Sequence, residues 1–360
     1  MHFYENKTID NLINKGKIPL LEKTGYFNVD RYPWAFQAWK RQQQIHWMGE
    51  EIPLGEDLND WGSDKISENE RNLLTQIFRF FTQSDIEVSD NYFKRYIPIF
   101  QPLEIQMMMA AFTNIETIHI DAYALLLKTL GMPETEFSAF KSYASMRAKV
   151  DYMQKFGVNT CADVARTLAM FGAFTEGMSL FASFAMLMNF PRFNKMKGMG
   201  QVVTWSVRDE SLHCESMIKL YHEWHTETGA VTSSVQKDIT DVGVTMVELE
   251  DKFVDLAFEL GDVQGMTKDD IKNYIRYICD WRLTQLKLKP VFGYFSGEPG
   301  FYKQEKAHPL PWLTAILNGV EHANFFETRA TEYSKAATEG DWHGSDGVWN
   351  LFENNLKKTV

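Results

Sequence analysis

The chain has few cysteines, no surplus of positive charge and no long uncharged apolar run. Its three cysteines among 360 residues, Cys161, Cys214 and Cys279, form no Cys-x-x-Cys pair, which excludes a disulfide framework and argues against dithiol chemistry within this chain. We expect reduced thiols and a cytoplasmic location. The net charge of −11 argues against a nucleic-acid partner, because phosphate binding requires a basic surface.

A membrane span and extensive β-structure are also not expected. The longest uncharged apolar stretch, residues 177–191, is shorter than the ~20 residues that cross a bilayer, so we predict a buried core helix there. Alternating β-branched runs are short, and no hairpin dipeptides join them. We therefore predict an all-α protein with one domain over residues 1–335, an N-terminal arm with short helices over 1–62, and a flexible tail at 336–360.

Capping residues and prolines mark the predicted helices. Ser67 and Glu70 form a capping box ahead of a helical apolar stripe, and Pro102 opens the next helix, which stops at Gly131. Further helices are predicted at about 134–155, 162–190, 200–225, 233–260, 267–288 and 312–333.

Four of these helices carry an acid on an apolar stripe. A buried carboxylate without a partner costs several kcal/mol, so such acids need an explanation. Two of them have a histidine three residues later on the same helix face. Four carboxylates and two imidazoles in this arrangement are the ferritin-like pattern of a dinuclear iron or manganese site. The six residues are Asp85, Glu116, His119, Glu176, Glu210 and His213.

A single Glu-x-x-His spacing is weak evidence for a metal site. Glu305 and His308 have this spacing too, but Pro309 follows them and no apolar helical stripe surrounds them. The competing interpretation is two accidental pairs with two core acids neutralised by arginine. It has to account for four buried acids, whereas a metal pair resolves their burial directly.

The motifs resemble those of the small, radical-generating subunit of class I ribonucleotide reductase. The resemblance runs from about residue 32 to 333 and rests on Ser84-Asp85, Glu116-Thr117-Ile118-His119, Glu176 and the stretch 208–213. It implies a ferritin-like helix bundle and the same six metal ligands. It further implies a homodimer that works with a separate large, catalytic subunit. The metals would be two irons, with a manganese–iron or dimanganese pair left open.

The resemblance also implies roles for Tyr123 and for the residues around it. Tyr123, one turn beyond His119, would be the tyrosine that the metal centre oxidises to a stable radical after reaction with oxygen. Phe112, Leu180 and Phe184 would keep the site dry. Ser206 stands where an aliphatic neighbour of the radical is expected.

Four further residues match the family's radical-transfer route. Trp47 would carry the radical, and Asp209 would link this tryptophan to the metal ligand His119. Tyr333 would relay the radical to the large subunit, and Glu327 would assist proton transfer there. The tail beyond would dock its aromatic residues on that subunit.

Three classes of function fit a ferritin-like dinuclear site. The first is the ribonucleotide reductase small subunit, with a flavoprotein or ferredoxin-type activator as a further partner. The second is another oxygenase, of the acyl-carrier-protein desaturase or ligand-binding oxidase type, which would not need Tyr123, Trp47 and Tyr333 together. The third, iron storage, usually uses shorter chains built from one bundle.

Overall fold

The computed structural model describes residues 4–26 and 28–317, and the all-α prediction is confirmed. Tyr333, Glu327, the 335 boundary and the 336–360 tail lie outside the described residues. The α-helices of the described part are α1 (Pro33–Gln44), α2 (Gly55–Trp61), α3 (Glu68–Asp90), α4 (Leu103–Thr129), α5 (Thr135–Ser138), α6 (Ala144–Met153), α7 (Cys161–Leu168), α8 (Leu180–Met188), α9 (Lys197–Thr228), α10 (Ser233–Ala257) and α11 (Lys268–Gln285).

Shorter elements connect these helices. A two-stranded antiparallel hairpin, β1 (Phe295–Ser296) with β2 (Lys303–Gln304), follows α11. Helical backbone resumes at 311–317. Short 3-10 turns occupy Ile9–Asn11, Pro19–Leu21, Gly49–Glu51, Ala139–Ser142 and Pro191–Phe193.

The predicted start of α3 is confirmed in atomic detail. The backbone N–H of Glu70 donates to Ser67 Oγ at 3.4 Å, and the N–H of Ser67 donates to Glu70 Oε2 at 2.9 Å. This reciprocal cap satisfies two N–H groups that the first helical turn leaves free, and such caps are worth about 1 kcal/mol. It fixes where the helix that carries Asp85 begins.

The prediction of a single helix at 134–155 is wrong. The backbone breaks at Tyr143, which is extended at φ −99° and ψ 120°, and α6 begins at the next residue. A tertiary contact holds the break, because the guanidinium of Arg79 donates to the hydroxyl of Tyr143 at 2.6 Å and also pairs with Glu136. Helical periodicity does not reveal such a contact.

Four helical rods form the central bundle. They are α3, α4, the continuous rod from α7 to α8, and α9; α3 packs along α4, and the α7–α8 rod packs along α9. Helices α10 and α11 cover the outside of the α7–α8 rod, and α1 packs across α4. The rod from Cys161 to Phe193 is long and apolar enough to cross a membrane, but its most apolar window is wholly buried inside the protein, which confirms a buried core helix at 177–191.

Two segments of the bundle are π-helical. Asn91–Tyr96 continues α3, and Ala169–Ser179 joins α7 to α8. The wider turn of the first segment is seen where the N–H of Ile97 donates to the carbonyl of Tyr92, five residues earlier, at 3.0 Å. Single π turns occur frequently at functional sites, because they re-aim side chains that a regular helix would place elsewhere.

Close helix contact requires glycine beside Glu176. A Cβ added at Gly177 would lie 2.6 Å from Cys214 Sγ on α9 and 2.7 Å from Arg282 Nε on α11. The backbone carbonyl of Gly177 also accepts from Arg282 Nε at 2.7 Å. The missing side chain therefore lets the π-helical segment approach both neighbours closely.

Candidate metal centre

The structure gathers all six predicted acids and histidines in the bundle interior. Helix α3 provides the first acid, α4 and α9 each provide a Glu-x-x-His pair, and the second π-helical segment provides the remaining glutamate. Each of these residues is at most 1% exposed. They are Asp85, Glu116, His119, Glu176, Glu210 and His213.

Four of the six lie close enough to share one ion. Ligand atoms of Glu116, Glu176, Glu210 and His213 all fall within 4.8 Å of one another, and all four residues are buried. The cluster could hold a metal ion.

Two glutamates span the two imidazoles. Glu116 places Oε1 3.1 Å from Nδ1 of His213 and Oε2 3.4 Å from Nδ1 of His119. Glu210 does the same with the opposite oxygens, at 3.5 Å from His213 and 3.4 Å from His119. Each of these carboxylates therefore faces both histidines, as bridging ligands between two ions would.

The other two acids divide between the histidines. Glu176 Oε1 lies 3.7 Å from Nδ1 of His213. Burial raises the pKa of Asp85 well above its usual range, the charge of Glu116 raises it further, and His119 opposes this rise. We call Asp85 with His119 the His119 half of the site, and Glu176 with His213 the His213 half.

The outer nitrogens of both imidazoles have partners as well. Nε2 of His119 lies 3.1 Å from Asp209 Oδ2, and Nε2 of His213 lies 3.2 Å from Gln42 Oε1. The amide of Gln42 donates to Asp209 Oδ1 at 3.1 Å, and the indole N–H of Trp47 donates to Asp209 Oδ2 at 2.8 Å. Histidines that bind metals usually donate their second N–H in this way, which leaves the lone pair of Nδ1 available to a metal ion.

This donor set fits a metal ion. With Nε2–H donated outward, Nδ1 of each histidine faces carboxylate oxygens at 3.1–3.7 Å, so lone pairs face lone pairs and a cation is needed between them. Within the described part of the chain, both oxygens of Glu116 and of Glu210, Asp85 Oδ2 and His213 Nδ1 make no hydrogen bond. Buried polar atoms are rarely left in this condition.

The pKa shifts at the site reflect burial and the mutual attraction of imidazoles and carboxylates. Burial lowers the pKa of His119 and His213, but the surrounding carboxylates, first Asp209 for His119 and Glu116 for His213, outweigh it and raise each pKa well above the usual range. Burial raises the pKa of Glu116, but its contacts with both histidines prevail and hold that pKa at about 2. Burial raises the pKa of Glu176 to about 8. A dense cluster of shifted carboxyl and imidazole groups is typical of a functional site.

Tyr123 lies beside the His119 half in an apolar pocket. It is 1% exposed, and its ring stacks on Phe81 at 4.8 Å between centroids. Its hydroxyl donates to Ser206 Oγ at 3.3 Å, and Ser206 passes a hydrogen bond on to the carbonyl of Val202 at 3.0 Å. Ser206, which replaces the expected aliphatic residue, is therefore a hydrogen-bond partner of Tyr123.

The three residues expected to exclude water are buried. Phe112 places its ring 4.1 Å from that of His213, and Phe184 contacts Phe81 at 5.5 Å. Leu180 is 1% exposed.

Glu305 and His308, in contrast, lie outside the bundle. Glu305 is exposed in the loop after β2, and the His308 ring packs on Tyr277.

Two polar residues at this site were not predicted from the sequence. Gln42 lies in a run of three glutamines, where only tertiary contact distinguishes it from its exposed neighbour Gln43. The hydroxyl of Tyr92 donates to Oε1 and Oε2 of Glu176 at 2.8 and 3.0 Å. Tyr92 is seven residues after Asp85, two helical turns along the same face, and this spacing was a usable signal.

Comparison with known proteins identifies the family. The family model described as ribonucleotide reductase, small chain, matches residues 26–298. This chain belongs to the ribonucleotide reductase small chain family. A probable ribonucleoside-diphosphate reductase small subunit of Invertebrate iridescent virus 6 is 38% identical over 92% of this chain and 99% of its own length. The ribonucleoside-diphosphate reductase subunit beta of Chlamydia pneumoniae is 27% identical over 85% of this chain and 89% of its own.

Solved structures of reductase small subunits share the fold. A ribonucleotide reductase R2 subunit from Clostridium botulinum has a TM-score of 0.74 and 19% identity, covering 88% of this chain and 99% of its own. A dimanganese(II)-NrdF from Streptococcus sanguinis has a TM-score of 0.66 and 18% identity, covering 75% and 93%. The ferritin-like bundle prediction is thereby confirmed, and the oxygenase and storage alternatives are not favoured. Small subunits of this family are oxidoreductase components that act with a large subunit and generally as dimers.

Proposed function

We propose that this reductase small subunit generates a radical at Tyr123 with a dinuclear metal centre. The six residues of the two halves would together hold two ions. Among them, Asp85, Glu116 and His119 would hold one of the two. The observation that supports this is the spanning geometry of Glu116 and Glu210, each with one oxygen toward each imidazole. When bound, the metals supply the oxidising equivalents, drawn from oxygen or a related oxidant.

The residues around Tyr123 prepare it for one-electron oxidation. Burial raises the pKa of its phenol, so the hydroxyl keeps its proton until an electron leaves, and the proton would then pass to a neighbouring carboxylate of the site. Ser206 accepts the hydrogen bond from that hydroxyl, and the apolar walls exclude water that would quench a radical. The pocket thus orients the phenol and isolates it.

Transfer toward the large subunit would begin at Trp47. Its ring lies 5.8 Å from that of His119, and Asp209 Oδ2 lies within hydrogen-bond distance of both residues. Asp209 can therefore hold the indole proton while the ring loses an electron. From there the route would continue to Tyr333, with Glu327 assisting, and the 336–360 tail would dock on the large subunit.

Two irons are the preferred metals, and a manganese–iron or dimanganese pair would suit the same oxygen and nitrogen ligands. Anomalous scattering at the iron and manganese edges distinguishes these choices. A flavoprotein or ferredoxin-type activator, a homodimer and a cytoplasmic location complete the proposal.

Electron paramagnetic resonance tests the radical directly. After anaerobic loading with iron or manganese and exposure to oxygen, the native chain should show a sharp organic radical signal. Tyr123→Phe should abolish it, whereas Tyr221→Phe, which changes another buried phenol, should leave it unchanged. A signal that persists in Tyr123→Phe would contradict the proposal.

A further inference from the structure

Tyr92 is a second buried phenol at the metal centre, and it lies on the opposite half from Tyr123. It is 1% exposed and belongs to the π-helical segment Asn91–Tyr96. Burial raises the pKa of its hydroxyl, and the charge of Glu176 raises it next, so the group remains a protonated donor. Glu116 and Glu210 act on it in the same direction but less strongly.

The two tyrosines make different hydrogen bonds. The hydroxyl of Tyr123 donates to the neutral hydroxyl of Ser206 at 3.3 Å. The hydroxyl of Tyr92 donates to the carboxylate of Glu176 at 2.8 Å, with the second oxygen at 3.0 Å. When Glu176 is ionised, as a metal ligand must be, a bond from this neutral donor to the charged acceptor is shorter and about twice as strong as a neutral pair.

Glu176 has little else to fix its orientation. Among the described residues, its hydrogen-bond donor is Tyr92, and its other polar contact is Nδ1 of His213 at 3.7 Å. A glutamate side chain has three rotatable bonds, so a single anchor that contacts both oxygens restrains where the whole carboxylate group lies. Glu116 and Glu210 differ, because each is positioned between two imidazoles.

The Tyr92 ring is itself held in place. It packs edge-on against Phe112 at 5.9 Å and against His213 at 6.1 Å between centroids. Phe112 and His213 are in turn 4.1 Å apart. The phenol is therefore a pre-positioned donor on a packed support, which is what a group that orients a metal ligand requires.

We propose that Tyr92 is a positioning residue that fixes Glu176 and thereby sets the metal affinity of the His213 half. This inference rests on the proposed dinuclear site. The radical role belongs to Tyr123, and Tyr92 acts through a ligand rather than on the reacting atoms.

Titration of the metal-free protein with Mn²⁺ alone under anaerobic conditions tests the inference without enzyme activity. The six-line resonance of free Mn²⁺ falls as ions bind, which gives the number of ions per chain and the two dissociation constants. The variant is Tyr92→Phe, which removes one oxygen atom. The matched control is Tyr96→Phe, which removes the same atom from a buried phenol one turn away that packs edge-on against Tyr92 at 6.0 Å.

We expect the native chain and Tyr96→Phe to bind two ions with the same pair of constants. In Tyr92→Phe one of the two ions should bind as in the native chain, and the other about 10-fold more weakly, the lower end of the effect of removing a partner of a metal ligand. Unfolding temperatures of the metal-free variants, measured alongside, should differ by less than about 3 °C, as one hydrogen bond in a chain of this size predicts.

Several results would overturn the inference. Unchanged affinity of both ions in Tyr92→Phe would show that the hydrogen bond does not position Glu176. Equal weakening in both tyrosine variants, or loss of both ions with a large drop in unfolding temperature, would show a packing role. A native chain that binds only one ion would overturn the dinuclear site itself, and with it the inference.

Discussion

The two halves of the metal centre share ligand types but differ in how they are supported. In the His119 half, Nε2 of the imidazole faces the carboxylate of Asp209, which also binds Trp47. In the His213 half, Nε2 faces the neutral amide of Gln42. The neighbouring tyrosines differ correspondingly, since one bonds a serine hydroxyl and the other bonds a ligand carboxylate directly.

This difference separates two tasks that one site has to perform. The His119 half is connected to the indole of Trp47 through the carboxylate of Asp209, and the neighbouring phenol of Tyr123 donates to the hydroxyl of Ser206. The His213 half is connected to rigid groups that fix a ligand in place. The six predicted ligands thus lie in an asymmetric surrounding, and in the proposed function this asymmetry would let the His119 half pass electrons.

Removal of a glutamate that faces both histidines should have the largest effect. In Glu210→Ala, both imidazoles lose a facing carboxylate, so we expect fewer than one ion per chain to remain after dialysis of a Mn²⁺-loaded sample. Elemental analysis measures this. Glu223→Ala, on the same helix but outside the site, is the control. Retention of two ions by Glu210→Ala would remove the spanning role on which the comparison depends.

Asp209→Asn should damage mainly the His119 half. Asp209 accepts from Trp47 and Gln42 and faces His119, and an asparagine amide would place a donor against one of these N–H groups. We expect a 10- to 100-fold loss of metal affinity or turnover. Nucleotide reduction per radical, measured with the large subunit, should fall further than the radical yield. A proportional fall in both would argue that Asp209 supports the metal site only.

Gln42→Leu should have a smaller effect, mainly on the His213 half, although Gln42 also donates to Asp209. The acceptor that His213 loses is neutral, so we expect one of the two ions to bind about 10-fold more weakly in the Mn²⁺ titration. Gln43→Leu is the matched control, because this neighbour is exposed. If Gln42→Leu weakened metal binding as much as Asp209→Asn, the charge difference between Gln42 and Asp209 would have no consequence.

Ser206→Ala should have the smallest effect. Tyr123 loses one neutral hydrogen bond, which is worth about 1 kcal/mol, and the pocket loses one oxygen atom. The radical should still form at native yield. Its resonance spectrum should shift slightly, because the hydrogen bond to the phenol oxygen has gone. If Ser206→Ala formed no radical, Ser206 would be required for proton transfer from Tyr123 and would not be only its hydrogen-bond partner.

The sequence predicted the regular parts of this protein well, and it failed where tertiary contacts override local periodicity. Glu116 with His119, and Glu210 with His213, lie on α-helices, where an i, i+3 spacing places two side chains on one face. The break at Tyr143 and the π-helical segment with Glu176 could not be read from the sequence, because the energy that stabilises them comes from other helices. Gln42 escaped notice for the same reason, since it acts across the fold on His213.

The sequence by itself determined which residues could form a metal site. Buried acids on helical stripes are too costly to keep without a partner, and four of them with two histidines in this order along the chain already implied a cation. Only the tertiary structure decided how these residues divide into two halves and which group supports each. That division depends on distances of about 3 Å between helices that are far apart in sequence, and on the π-helical backbone that aims Tyr92 at Glu176. Periodicity along a single helix contains no information about either.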